Sequence, residues 1–411
     1  MAMSSRRAYR ALLAAPRRPW EADPGAADGP ATGPQAEGPT PADPAARPEP
    51  PARPGAQPQP QSRPGPRPPR RSHRADPDVV LEGPPPGVGH LRWYRTRVLD
   101  RPLAVLLHPE RGMVTVALEL PPASAALLAD VRPYGPAAAP AAGAEQPGPA
   151  LRRLLDRLAR ADAPLSRLQL LSSARPLGRS EHAHLVAALP LTRTLAAEAA
   201  AVDDRPGEGL ALLAGRATLD LCRHLADCDI SISGFVDTPG LAALIRSRYD
   251  PGQGGGPRIA EGSPWPAEID ATHHRHLRTS SGTGAAVQAQ GGPAGGWYHA
   301  TAWVKSWPRG ADGLDLTAPL RLPRLPLPRA VAVVVGCAAG QEPTAAGYVT
   351  VSARTPAELQ SAREELRRAL PADAPLQLEW TDREHHLAFT HTLPLATGLA
   401  PAPPSGPAGH F

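Results

Sequence analysis

The chain has 411 residues, 44 basic against 39 acidic, for a formal net charge of +5; 41% of it is hydrophobic and 4% aromatic. Residues 1–78 hold 12 Arg and 8 acids, which is +4 of that charge, so the remaining body is near neutral at +1 and offers no basic groove for nucleic acid. Three cysteines (Cys222, Cys228, Cys337) without CxxC spacing exclude a disulfide framework and a zinc site, and with no signal peptide the thiols are expected to be reduced in the cytosol.

Taken in chain order, Arg6–Trp20 (RRAYRALLAAPRRPW) is basic and amphipathic. It suits weak peripheral contact with an anionic membrane surface, but it is too short to span a bilayer. Residues 1–90 hold 22 of the 55 prolines, and 21–88 lack apolar periodicity, so residues 1–83 are expected to be a disordered arm with polyproline II character. That arm is either a solvated spacer or a docking segment, since RPGPRPPRR has PxxP-like spacing. Folded sequence is expected from about Pro84. Pro102–His108 and Met113–Leu120 read as a hairpin about the turn Pro109-Glu110-Arg111-Gly112. A Pro/Ala/Gly loop covers 132–149, and Leu151, Leu154, Leu155 and Leu158 give a helix over 151–161. A strand over 165–173, helices over 192–202 and 208–226, and a strand over 229–236 follow. Thr238-Pro239 starts a helix that runs to Tyr249.

A Gly-rich break at 251–263 separates a first half (84–250) from a second (264–397), with a disordered tail at 398–411. Strands are expected over 297–307, 329–337 and 346–353. The valine-rich run Ala330–Ala339 is half the length of a membrane span and reads as a buried strand. Thr355-Pro356-Ala357-Glu358 opens a helix with an N-cap hydroxyl, Pro at the first position and a capping-box Glu. Strands over 376–380 and 387–393 complete the order. The fold class is therefore α/β (α+β), two mixed sheet-and-helix halves, the second ferredoxin-like. The first half gives a rougher version of the same order, as a diverged duplication would, without a residue-level repeat.

Catalytic signatures are scarce. A P-loop needs a lysine after its Gly-rich turn, and the only lysine, Lys305, lies in a strand. Ser280–Ala285 (SSGTGA) is read as a turn between a short helix and a strand, with anion cradling as the alternative. Histidines gather at 182/184, 273/274/276 and 385/386. His385 and His386, placed on a strand, would point to opposite faces and not share a metal. No catalytic residue, cofactor or metal is expected. The strand from Trp297 puts Trp297, His299, Thr301, Trp303 and Trp307 on one parity. That face either packs on the helix starting at Thr355 or, through Trp297, His299, Trp303 and Trp307, offers aromatic anchors to a protein partner.

The stretch LRTSSG followed by WYHATAWVKSWPR (within 276–309) resembles the EccE-type domain of actinobacterial type VII (ESX) secretion systems. DTPGLAALIRSRYDP (237–251) and FTHTLPLATG, which closes the stretch from 344, are similar to the same family. The family normally begins with two transmembrane helices, and Pro- and Arg-rich sequence stands in their place here. The resemblance implies a non-catalytic component or accessory of a secretion translocon, cytoplasmic and peripheral at the inner face of the membrane, with the complex's membrane subunits as partners. A branch beside type IV-like conjugation genes shares these motifs and is the first rival; a degenerate nucleotide-sugar transferase-fold enzyme is the second.

Overall fold

Alternating apolar side chains build one large antiparallel sheet. The computed structural model describes residues 79–82, 91–121, 150–161, 163–174, 182–249, 251, 274–278, 285–289, 297–310, 313–314, 316, 318–322, 327–337, 344–371 and 373–399. The expected disordered arm to residue 78, the tail beyond 399 and the SSGTGA turn at 280–284 lie outside these residues.

Among the described residues the first half supplies β1 (Val79–Glu82), β2 (Arg92–Val98), β3 (Arg101–His108), β4 (Met113–Leu120), α1 (Ala150–Arg160), β5 (Arg167–Ala174), β6 (His182–Pro190), α2 (Arg193–Val202), α3 (Pro206–Ala226), β7 (Gly234–Phe235) and α4 (Thr238–Tyr249). The second half supplies β8 (His274–Arg278), β9 (Ala285–Ala289), β10 (Trp297–Ser306), the small pair β11 (Arg309–Gly310) and β12 (Gly313–Leu314), β13 (Arg329–Gly336), β14 (Ala345–Ala353), α5 (Pro356–Ala369), β15 (Gln377–Trp380) and α6 (His385–Ala388), which runs on into a 3-10 turn at Phe389–Thr392. Thirteen of the strands form one sheet in the order β1-β8-β9-β10-β14-β13-β5-β6-β4-β3-β2, with β15 also on β10 and β7 also on β4.

The two halves repeat one topology. β7-β4-β6-β5 in the first and β15-β10-β14-β13 in the second are both a fourth, first, third and second strand, the split βαβ order of a ferredoxin-like unit. The first strand of each unit has two partial partners on its outer edge. On β4, β3 pairs with Met113–Thr115 and β7 with Leu118–Glu119; on β10, β9 pairs with Trp297–His299 and β15 with Ala302–Ser306. The place of α1 in the second unit is taken by the connection 307–328, which contains a 3-10 turn at Ala318–Arg321. The units join where β5 pairs antiparallel with β13, Arg167–Ala174 against Gly336–Arg329. Like strands pairing antiparallel is what a two-fold relation between the units produces.

Strand alternation sends Val114, Val116, Leu118, Leu168, Leu170, Leu185 and Leu189 to one face, where they meet α1, α2 and α3. On the same face Val331, Val349 and Val351 meet Leu359, Ala362 and Leu366 of α5. The opposite face carries Ala104, Leu106, Ala117, Val186 and Ala188. It is covered by Leu241, Ile245 and Tyr249 of α4 together with Phe389, Leu393, Leu395 and Ala396 of the second unit. The expected capping box is present: the Thr355 hydroxyl accepts from Glu358 N, and Glu358 accepts from Thr355 N.

Val79–Glu82, close to the expected start at about Pro84, pairs with His276 and its neighbours on β8. Four expectations need correction. No strand forms at 387–393, which belongs to α6 and its 3-10 extension; Thr390 and Thr392 hydroxyls donate to the carbonyls of Leu387 and Phe389, the local side-chain bonding that competes with a ladder. The segment before the SSGTGA turn is β8 of a hairpin, not a short helix. The cap of α4 is Asp237, whose carboxylate accepts from Gly240 N at 2.8 Å, not Thr238. The fourth concerns β10: its even positions, Tyr298, Ala300 and Val304, face α5, so Trp297, His299, Thr301 and Trp303 lie on the opposite side.

Candidate functional site: a polar cavity between α4 and the sheet

Residues directly opposite in a ladder share a face. The register therefore lines up Thr301 with Thr350, Thr350 with Ala330, and Ala330 with Ser173. His299 with Ser352, and Glu119 with His184, share the same side. This gives the sheet face under α4 a polar band across both units. Thr392 donates to Phe389 O at 2.9 Å, so its oxygen accepts from Thr350 at 3.0 Å, and Thr350 in turn accepts from Thr301 at 2.8 Å. Gln169 on β5, fully buried, ties the closing segment to the sheet. Its Nε2 donates to His391 O and Leu393 O, each at 3.0 Å, and its Oε1 accepts from Ala396 N at 2.9 Å.

Above this band α4 has two faces. Leu241, Ile245 and Tyr249 pack on the first unit. Gly240, Ala243, Leu244, Ser247 and Arg248, at helical spacing on the other, leave room because three of them are small. The space is a cavity of about 280 Å³, floored by Glu119, Ser173, His184, Ala330, Thr350 and Ser352 and closed by Phe389 and Thr392. It straddles the seam where β5 meets β13. Arg248 on its wall is 5% exposed, and its Nε and Nη2 have no hydrogen-bond partner. Burial pushes this guanidinium down to about 10, so it is still charged at neutral pH. Arg329, at the rim, is engaged elsewhere, donating to Leu322 O.

No family model matches the chain, and neither does any curated protein. Function therefore rests on the site itself. Of the aromatic candidates, Trp297 is buried beneath the Arg354 guanidinium, 4.1 Å from its ring centroid. His299 is fully buried, with Nδ1 2.8 Å from Ser352 Oγ and its ring 4.6 Å from Phe389. Trp303 is 42% exposed. A bulge after Val304 turns Trp307 to the face of α5, where a Cβ at Gly347 would come 2.8 Å from its Cη2. The expected single face is thus divided: Trp303 alone of the four is open to solvent, while His299 belongs to the cavity's polar surround.

His385 does not stand on a strand but on α6, buried. Its Nδ1 accepts from Thr301 N at 3.0 Å, which makes Nε2 the protonated nitrogen facing Asp382 Oδ1 at 3.1 Å. Arg363, also buried, donates to the same carboxylate at 2.8 Å. The nearby Thr381 hydroxyl donates to Thr301 O and has no proton left to give to His385. The group clamps α5, α6 and β10 together and holds no activated nucleophile. Among the described residues no three His, Cys, Asp or Glu side chains converge as metal ligands. His386, His182 and residues 273–276 have no described side chains. Lys305 pairs with Glu379 at 3.0 Å on the surface.

Sequence reasoning missed this cavity. Its signal was available: polar residues on one parity of otherwise apolar strands, Gln169 and Ser173, Thr350 and Ser352, His299 and Thr301.

Proposed function

We propose that this chain is a non-catalytic, EccE-like component of a type VII (ESX) protein-secretion translocon, held at the inner face of the cell membrane by membrane subunits of that complex. One observation carries the reading. The three stretches of sequence resemblance, 237–251, 276–309 and 344–395, are remote in the chain yet meet at one place. Tyr249 of the first lies 5.1 Å from Phe389 of the third, and His299 of the second lies 4.6 Å from the same ring. Thr301 of the second and Thr350 and Thr392 of the third form the hydroxyl chain. Resemblance spread over neutral surface would have no reason to converge on one buried polar cluster.

The non-catalytic side of the reading is supported by how the titratable groups are used, since His299 and His385 are buried and bonded in packing roles. No helix among the described residues is long and apolar enough to cross a membrane, and the reading assigns attachment to partner subunits. Affinity purification of the full chain from its own cells in mild detergent tests it. The expected result is co-purification of the membrane ATPase and other membrane subunits of a type VII system. Recovery of a traffic ATPase and a polytopic channel protein would transfer the chain to a type IV-like apparatus, and recovery of neither would overturn the proposal.

A further inference from the structure

The buried arginine other than Arg248 among the described residues is paired. Arg363, 3% exposed, donates to Asp382 and lies 4.6 Å over the Trp380 ring. Arg248 is as deeply placed, but its Nε and Nη2 have no hydrogen-bond partner, and it lines a cavity rather than packed side chains. An isolated charge taken out of water is among the most costly features a fold can carry, and proteins retain one where something supplies the missing countercharge.

We propose that the cavity between α4 and the sheet binds a small soluble molecule through an oxyanionic group, carboxylate or phosphate, with Arg248 as the countercharge. The planar guanidinium suits either group, because both present two oxygens to its fork. Ser173 on the floor adds a hydroxyl donor. Leu244, Ala243, Pro328 and Phe389 give apolar wall for the rest of the molecule, and a cavity of about 280 Å³ has room beyond a bare ion. Glu119 limits the charge of the ligand. It pairs with Gly234 of β7, the strand that leads into the first turn of α4, whereas Arg248 is in the last turn. From Gly240 to Arg248 the helix advances roughly 12 Å. A molecule with one anionic end fits this layout, and a polyanion extended along the cavity would meet the Glu119 carboxylate. The seam between two repeated units is also a common place for such a pocket. This inference stands apart from the secretion assignment and is tested without it.

The test uses the full chain, titrated with sodium phosphate in one arm and sodium acetate in the other, at ionic strength held constant with sodium chloride, while Tm is followed. The account predicts a saturable rise in Tm in at least one arm, and the arm that saturates identifies the group. R248Q should weaken that binding roughly tenfold to a hundredfold, the loss expected for a charge-assisted contact. R216Q, at an exposed position of α3, should leave it unchanged. A243L, which fills the cavity and keeps the charge, should abolish it as well, so a folding defect in R248Q does not leave the question open. A rise that fails to saturate in both arms, or one that persists in R248Q and A243L, overturns the proposal.

Discussion

Two histidines give the molecule a pH dependence that can be read from their surroundings. Burial pushes His385 down to about 4, outweighing the hydrogen bond to Asp382 that favours its protonated form. Burial likewise pushes His391 down to about 4, with the charge of Arg111 adding to the effect. Both are thus neutral in the folded chain, while an unfolded histidine titrates near 6.5. The stability they contribute is complete above about pH 6.5. As pH falls from there towards 4 only the unfolded chain gains protons, so stability falls, and below about 4 it levels off. For both groups together the loss between pH 7 and pH 5 is about 3 to 4 kcal/mol. Urea unfolding at the two values should show it, and His385→Gln should remove about half. Equal stability of the parent chain at pH 7 and pH 5 would contradict the buried neutral assignment.

At the scale of elements, helix packing sets strict conditions that periodicity alone does not reveal. α2 and α3 approach so closely that a Cβ at Gly209 would lie 1.9 Å from the carbonyl oxygen of Ala199. Backbone cannot yield as a side-chain end does, so Gly209→Ala should cost at least about 2 kcal/mol. A chemical denaturation midpoint within error of the parent would show that the helices can separate at no cost. The elements that sequence reasoning located share strong local signals: the β3–β4 hairpin about Pro109–Gly112, α1 with its leucine stripe, and α5 with its capping box. β6 escaped because HLVAALP is buried on both faces; a continuous, Ala-rich apolar run lacks the alternation that marks a half-exposed strand. The closing segment 389–398 mimicked a strand through its alternating threonines, although its backbone is held by Gln169, more than two hundred residues away. The cavity was hidden for the same reason. Its polar residues are individually unremarkable and become a site only when β5, β13, β14 and β10 are laid side by side.

For the whole molecule, the repeated topology gives two ferredoxin-like units that share one sheet, with Phe389 and Leu393 of the second completing the core of the first. The proposed role beside a membrane complex depends on what would bring this body to the membrane. Arginines near anionic lipid contribute about 1 kcal/mol each, but only within a Debye length of about 8 Å at physiological salt. The 12 Arg of residues 1–78 are offset by 8 acids and spread along the segment, which favours protein contacts by the folded body as the dominant attachment. On the proposed reading, Trp303, the exposed member of the β10 aromatics, is the leading candidate anchor for such a contact. The direct measurement is cell fractionation of the full chain and of a chain lacking residues 1–78, each with and without the membrane subunits of the secretion complex. The account predicts sedimentation with membranes only when those subunits are present, and largely retained after the deletion. A deleted chain that becomes fully cytosolic, or membrane binding that ignores the subunits, would contradict it.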